Sequence, residues 1–264
     1  MKTIYKGYIG EETKILSRTL GLYETDTFDS LLEEKVKEYQ KAHGLLDDGI
    51  VGPLTWFPIM MDNRLQEHYR PYVSDYDWSM VADLLSVSKA ALKAVTEVET
   101  GGKGGFLSPG KPRILFEAHV FYKRLVNHGV DPEKYMSAHK NIISKDWNRS
   151  LYKGGEAEWG RLGEAIGINE EAALESASWG IFQIMGFNYS SCGCSSIFEF
   201  TNRMKTDEFQ QFILGLEFMR RKNLIPFLQR RDWAGFAYRY NGAGYKKNNY
   251  DVKLEKAFNK YSGK

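Results

Sequence analysis

The sequence predicts a mainly α (α+β) fold, with a small three-helix bundle ahead of a larger helical domain that carries a short strand-like patch. Three observations predict it. Apolar side chains recur at helical spacing through most of the chain, glycine and proline stand where those runs stop, and residues 112–118 alternate as a strand does. A chain of 264 residues is long for one core and comfortable for two. Its 42% hydrophobic, 27% charged and 14% aromatic residues describe a globular protein and exclude disordered, collagen-like and coiled-coil chains.

The bundle is expected over residues 1–62. Ile9, Ile15, Leu16 and Leu20 are spaced for a first short helix that stops at Gly21. Leu32, Val36 and Tyr39 fall at i, i+4 and i+7 and give a second helix, ended by Gly44. Asp48-Gly49 signals a turn, and Pro53 suits the first position of a third helix. The run Val36-Lys37-x-Tyr39-Gln40 through Asp48-Gly49-Ile50-Val51-Gly52-Pro53-x-Thr55-Trp56 resembles the peptidoglycan-binding module attached to many cell-wall hydrolases. Residues 63–77 are polar and weakly periodic, and a linker is expected there before a domain over 78–264.

Charge and cysteine add little. The whole chain carries +2, which points to no nucleic-acid partner. The first 62 residues hold seven basic against eleven acidic side chains, so the remainder is mildly basic and suits an anionic target. Cys192 and Cys194 are too close for an ordinary disulfide and read as free thiols in a loop. His43, His68, His119, His128 and His139 lack ligand spacing, so no metal or other cofactor is expected. No apolar run approaches the roughly 18 residues that span a bilayer, so no stable membrane insertion is expected. Met1–Gly7 meets Glu11-Glu12 before a signal-peptide stretch can form; the chain is expected to start in the cytoplasm.

The sharpest local signal is the segment from Ser88 to Gly102. Ser88 is a candidate N-cap and Gly101-Gly102 halts the helix. At about 100° per residue, Glu99 lies about 20° from Leu92 and shares the side of Val95, so it points inward. Glu97 projects outward near Lys93, four residues back. A carboxyl on an apolar face holds its proton to higher pH, as a general acid requires. A salt-bridged buried Glu is the other reading. In the strand-like patch, Ile114, Phe116 and Ala118 share one face, while Leu115, Glu117 and His119 share the other. Glycosidases use two carboxyls, and Glu117 is the candidate second one. Its alternative is a structural pair with His119 or Arg113.

Taken together, Val98-Glu99-Thr100-Gly101-Gly102, Lys111-Pro112-Arg113-Ile114-Leu115-Phe116-Glu117-Ala118-His119, Ser178-Trp179-Gly180-Ile181-Phe182-Gln183-Ile184 and Tyr240-Asn241-Gly242 resemble the N-acetylmuramidase domain of modular bacteriophage endolysins. The resemblance spans residues 78–261. It implies a lysozyme-like helical domain with a short β-hairpin, acting as a monomer on bacterial peptidoglycan. It implies cleavage of the β-1,4 bond between N-acetylmuramic acid and N-acetylglucosamine, with Glu99 as acid and Glu117 as second carboxylate. Gln183, Tyr240 and Asn241 are implied to bind substrate, and release through the inner membrane to precede action on the wall. Two other readings stand beside it: a lytic transglycosylase giving anhydro-muramic ends, and a non-catalytic wall-binding protein.

Overall fold

The computed structural model describes residues 2–67 and 73–263, with side chains from 61 to 67 outside the description. The chain divides into two compact units, one made of the described parts of 1–70 and 74–92, the other of the described parts of 71–73 and 93–264.

In the first unit, α1 (Glu11–Thr19), α2 (Ser30–Ala42) and α3 (Pro53–Glu67) form the expected three helices. Asp29 caps α2 by accepting from Leu32 N at 2.8 Å. Ile9, placed with the first helix on spacing, instead precedes it: Gly10 is extended, and Ile9 is 66% exposed while bridging to Thr27. Leu16, Leu32, Val36, Val51 and Trp56 close the core, with the Trp56 indole donating to the Lys2 carbonyl at 2.8 Å. Gln40 explains the turn motif. Its buried amide takes the Gly49 N–H at 2.9 Å and donates to the Ile50 carbonyl at 3.0 Å and Asp48 at 3.1 Å. Gly49 sits at φ +75°, a conformation that strains residues with a Cβ.

The helix α3 continues through Glu67, into the stretch expected to be linker, and residues 68–72 of that stretch lie outside the described residues. Ser74 and Asp77 then form a capping box that opens α4 (Asp75–Leu85), whose Leu84 joins the first core. Local capping chemistry therefore extends helical order into a segment whose apolar periodicity is weak. After Ser88, which caps Ala91 N at 3.1 Å, α5 (Lys89–Thr100) runs on into the second unit.

The second unit is helical around two small antiparallel sheets. β1 (Phe106–Ser108) pairs with β2 (Lys111–Pro112). β3 (Ile114–Phe116) pairs with β4 (Ala177–Trp179), which also pairs with β5 (Ile184–Met185). Between β3 and β4 come α6 (Ala118–Asn127), α7 (Glu133–Met136), α8 (Glu156–Ile166) and α9 (Glu170–Glu175). After β5 a 3-10 segment, Gly186–Cys192, leads to α10 (Ile197–Thr206), α11 (Glu208–Arg221), α12 (Ile225–Arg230), α13 (Trp233–Asn241) and α14 (Tyr250–Ser262). Ile114, Phe116 and Ala118 are all buried, as the strand alternation predicts. Both thiols are free and buried; Cys192 closes the 3-10 segment, and burial pushes the Cys194 thiol up to about 11.

Helix α11 is the centre of this unit. Phe209, Phe212, Leu214, Leu216 and Met219 are buried on every side of it, the signature of a helix inside a core. Gly215 lets it approach the β4–β5 turn, because a Cβ there would stand 1.9 Å from the Phe182 ring. Gly215→Ala is expected to cost about 1–3 kcal/mol through overpacking, read as a melting point several degrees lower. An unchanged melting point would show that Phe182 moves aside freely.

Candidate active site

Glu99 lies in the last turn of α5, half-buried and on the inward side, as the helical phase predicts. Its carboxylate Oε1 accepts a hydrogen bond from the Tyr250 hydroxyl, delivered from the first residue of α14. Burial pushes the Glu99 carboxyl up to about 8, with the Tyr250 bond pulling the other way. The Tyr250 ring stacks on Tyr240 with centroids 6.4 Å apart, and Tyr240 in turn stacks on Phe236 at 5.3 Å. The Tyr240 hydroxyl donates to the Phe182 carbonyl at 2.5 Å, fastening α13 to the β4–β5 turn. Asn241 is exposed and hydrogen-bonds Tyr250. Thus Glu99, Tyr240 and Asn241 are brought together around Tyr250.

Glu97 turns away from this group, but its partner is not the one that i,i+4 spacing predicts. Lys260 Nζ reaches it at 2.7 Å from α14. That ammonium and the Tyr261 hydroxyl hold the Glu97 carboxyl below the usual range.

The glycine-rich stretch after Glu99 is anchored by α11. Gly105 N donates to Glu208 at 2.7 Å, and the Gly105 carbonyl accepts from the Gln211 amide at 3.3 Å. Gln211 is wholly buried; it also accepts from Ile181 N at 3.0 Å and donates to the Met204 carbonyl at 2.9 Å. One amide therefore ties the loop behind Glu99 to the β4–β5 turn.

Gln183 sits in that turn at φ +45°. Its amide accepts from Ser178 Oγ at 3.0 Å and donates to the carbonyls of Gly180 at 2.8 Å and Arg113 at 3.3 Å. The side chain braces the sheet carrying Glu117. Trp179 is fully buried and bonds the Leu174 carbonyl, which makes it core.

Glu117 follows β3 and occupies the N-cap of α6 without capping it through its side chain. Its Oε2 accepts from the Tyr152 hydroxyl at 2.7 Å and lies 3.3 Å from His119 Nδ1. Arg113, the other partner expected from sequence, donates to the Lys103 carbonyl instead. Burial pushes the Glu117 carboxyl up, opposed by the Tyr152 bond and the His119 and Arg161 charges and reinforced by Glu158. Glu158 and Arg161 form a buried ion pair at 2.8 Å beneath this carboxyl. Burial pushes Glu158 up too, but the N–H groups of Gly154, Lys153 and Phe116 and then Arg161 outweigh it, and Glu158 stays ionised. The geometry thus offers one carboxyl protonated at neutral pH and a second held by a tyrosine and a histidine. Tyr152, Arg161 and Glu158 escaped the sequence reading because nothing local to them marks their role.

Residues 88–262 match the N-acetylmuramidase family, and residues 18–56 match a putative peptidoglycan binding domain. No curated protein matches the chain. The crystal structure of the Burkholderia AP3 phage endolysin is similar at 36% sequence identity and a TM-score of 0.64, covering 100% of both chains.

Proposed function

The chain belongs to the N-acetylmuramidase family, and on that premise we propose that it is a peptidoglycan hydrolase cutting the β-1,4 bond between N-acetylmuramic acid and N-acetylglucosamine. Residues 1–62 serve as the wall-binding domain and 78–264 as the catalytic domain, the two working as a monomer on the wall after release through the inner membrane. The observation that carries the mechanism is the Glu99 carboxyl, kept protonated up to about 8 by burial. It delivers its proton to the leaving glycosidic oxygen. Glu117 stands as the second carboxylate, drawing a proton from the attacking water or balancing charge on the sugar. Tyr240 and Asn241 act by fixing Tyr250 against Glu99, and Gln183 by holding the β4–β5 turn.

Digestion of purified peptidoglycan followed by mass analysis of the products tests this. Reducing muramic ends carrying the added water support hydrolysis with Glu117 engaged. Anhydro ends, one water lighter, would make the enzyme a transglycosylase, and no digestion would leave a binding protein.

The pH profile follows from the same two groups. Turnover needs Glu99 protonated and Glu117 ionised. Activity is therefore expected to fall through an alkaline limb near 8, and through an acid limb displaced above the ordinary carboxylate range. Soluble chitooligosaccharides or wall fragments, assayed from pH 4 to 10, would show both limbs. An alkaline limb that survives Glu99→Asp unmoved would count against the assignment.

A further inference from the structure

The loop between α7 and α8 holds an arrangement that the proposed mechanism does not use. Trp147 is 60% exposed, yet its indole N–H is committed, donating to the Tyr152 hydroxyl oxygen at 2.7 Å. The two rings meet edge to face, with centroids 6.4 Å apart and planes at 71°. An indole nitrogen can only donate, and a tyrosine hydroxyl carries a single proton. With its oxygen already accepting from Trp147, Tyr152 directs that proton to Glu117 Oε2, 2.7 Å away. Donation of this kind is strongest when the acceptor is ionised.

The spacing of this relay is built from below. Glu158 Oε1 accepts the backbone N–H groups of Lys153 at 2.6 Å and Gly154 at 2.9 Å, immediately after Tyr152. Its Oε2 accepts Phe116 N at 3.1 Å, immediately before Glu117. Arg161 donates to Glu158, to the Phe116 carbonyl at 2.9 Å and to the Asn141 carbonyl of the same loop. A single buried ion pair thus fixes the backbone on both sides of the hydroxyl–carboxylate contact. His119 approaches the same Oε2 as Tyr152, so Oε1 is the oxygen left to face a water.

We propose that Tyr152, oriented by Trp147, is a positioning residue that holds Glu117 as an ionised acceptor with its second oxygen turned to the reacting water. This rests on Glu117 being the second carboxylate. The groups facing that carboxyl are Tyr152 from the loop, His119 from α6, and Arg161 and Glu158 from α8. Loss of the Tyr152 hydroxyl removes a bond that favours the ionised form, so Glu117 holds its proton to higher pH.

The test is a carboxyl ¹³C NMR titration of the full chain labelled at glutamate, with the Glu117 resonance assigned by its absence in Glu117→Gln. It is run on the wild type, Tyr152→Phe and Trp147→Phe, beside the pH profile of wall solubilisation. Tyr152→Phe is expected to raise the Glu117 midpoint by about one pH unit, and Trp147→Phe by less in the same direction. The acid limb should follow, lowering turnover about tenfold at pH values below it. A midpoint unmoved in both variants overturns the proposal. A midpoint that moves while the acid limb stays in place upholds the positioning and overturns Glu117 as the second carboxylate. Trp147 is exposed, so Trp147→Phe keeps the test alive should Tyr152→Phe fail to fold.

Discussion

Glu99→Gln is expected to reduce wall solubilisation by about 10²–10⁴-fold, the range that a positioned general acid contributes, while making the folded protein more stable at alkaline pH. The carbonyl of a glutamine can still accept from the Tyr250 hydroxyl, so the packing around it survives. The stability gain has a definite sign. An unfolded chain ionises this carboxyl near 4.5, whereas the folded one keeps its proton to about 8. Between those values the native state binds more protons, so its stability falls as pH rises. Glutamine carries no such loss. The difference should be absent below about pH 4 and reach a few kcal/mol above pH 8, discounted because Glu99 keeps some contact with solvent. Melting curves at pH 5 and 9, with binding of the variant to purified walls as a control, read both effects. A variant as active as wild type ends the assignment, and one less stable at pH 9 shows that the fold does not raise the wild-type carboxyl above its ordinary range.

Gln211→Leu is expected to be the most destabilising of these changes, by about 3–5 kcal/mol. It leaves the Ile181 N–H and the Gly105 and Met204 carbonyls without their buried partner, each worth about 1–3 kcal/mol when unsatisfied. The melting point should drop by about 10 °C. Activity at low temperature should fall as well, because Gly105 ends the loop that follows Glu99. A drop under about 2 °C would mean that water replaces all three bonds, and would remove Gln211 as the anchor of that loop.

The helical frame and the inward phase of Glu99 were legible in the sequence, because both depend on neighbours within a turn or two. Leu92 and Val95 set the side on which Glu99 falls, and Gly101-Gly102 set the end of its helix. The strand at 114–116 was legible for the same reason, through the alternation of Ile114, Phe116 and Ala118. What escaped was long-range. The cation that reaches Glu97 is Lys260, 163 residues away, rather than a neighbour one turn back. Gln183, expected against substrate, donates to the Arg113 carbonyl 70 residues away as well as within its own turn. Gln211 looks like any polar residue in a helix until the backbone groups that surround it are known. Helical order from α3 and α4 also enters the stretch expected to be linker, since Ser74 and Asp77 cap a helix whose apolar pattern is faint.

The hydrogen bond from Tyr250 to Glu99 joins residues 151 positions apart. A ribosome therefore releases the acid long before it releases the tyrosine rings that shelter it. On the proposed mechanism, a half-made chain, or a fragment clipped ahead of α14, exposes Glu99 to water and lets it titrate as an ordinary glutamate. The core of the first unit's three helices draws on residues no later than Leu84 and can close while synthesis continues. On the proposed function, chain order thus acts as a clock: the part that grips comes first, and the part that cuts is armed among the last.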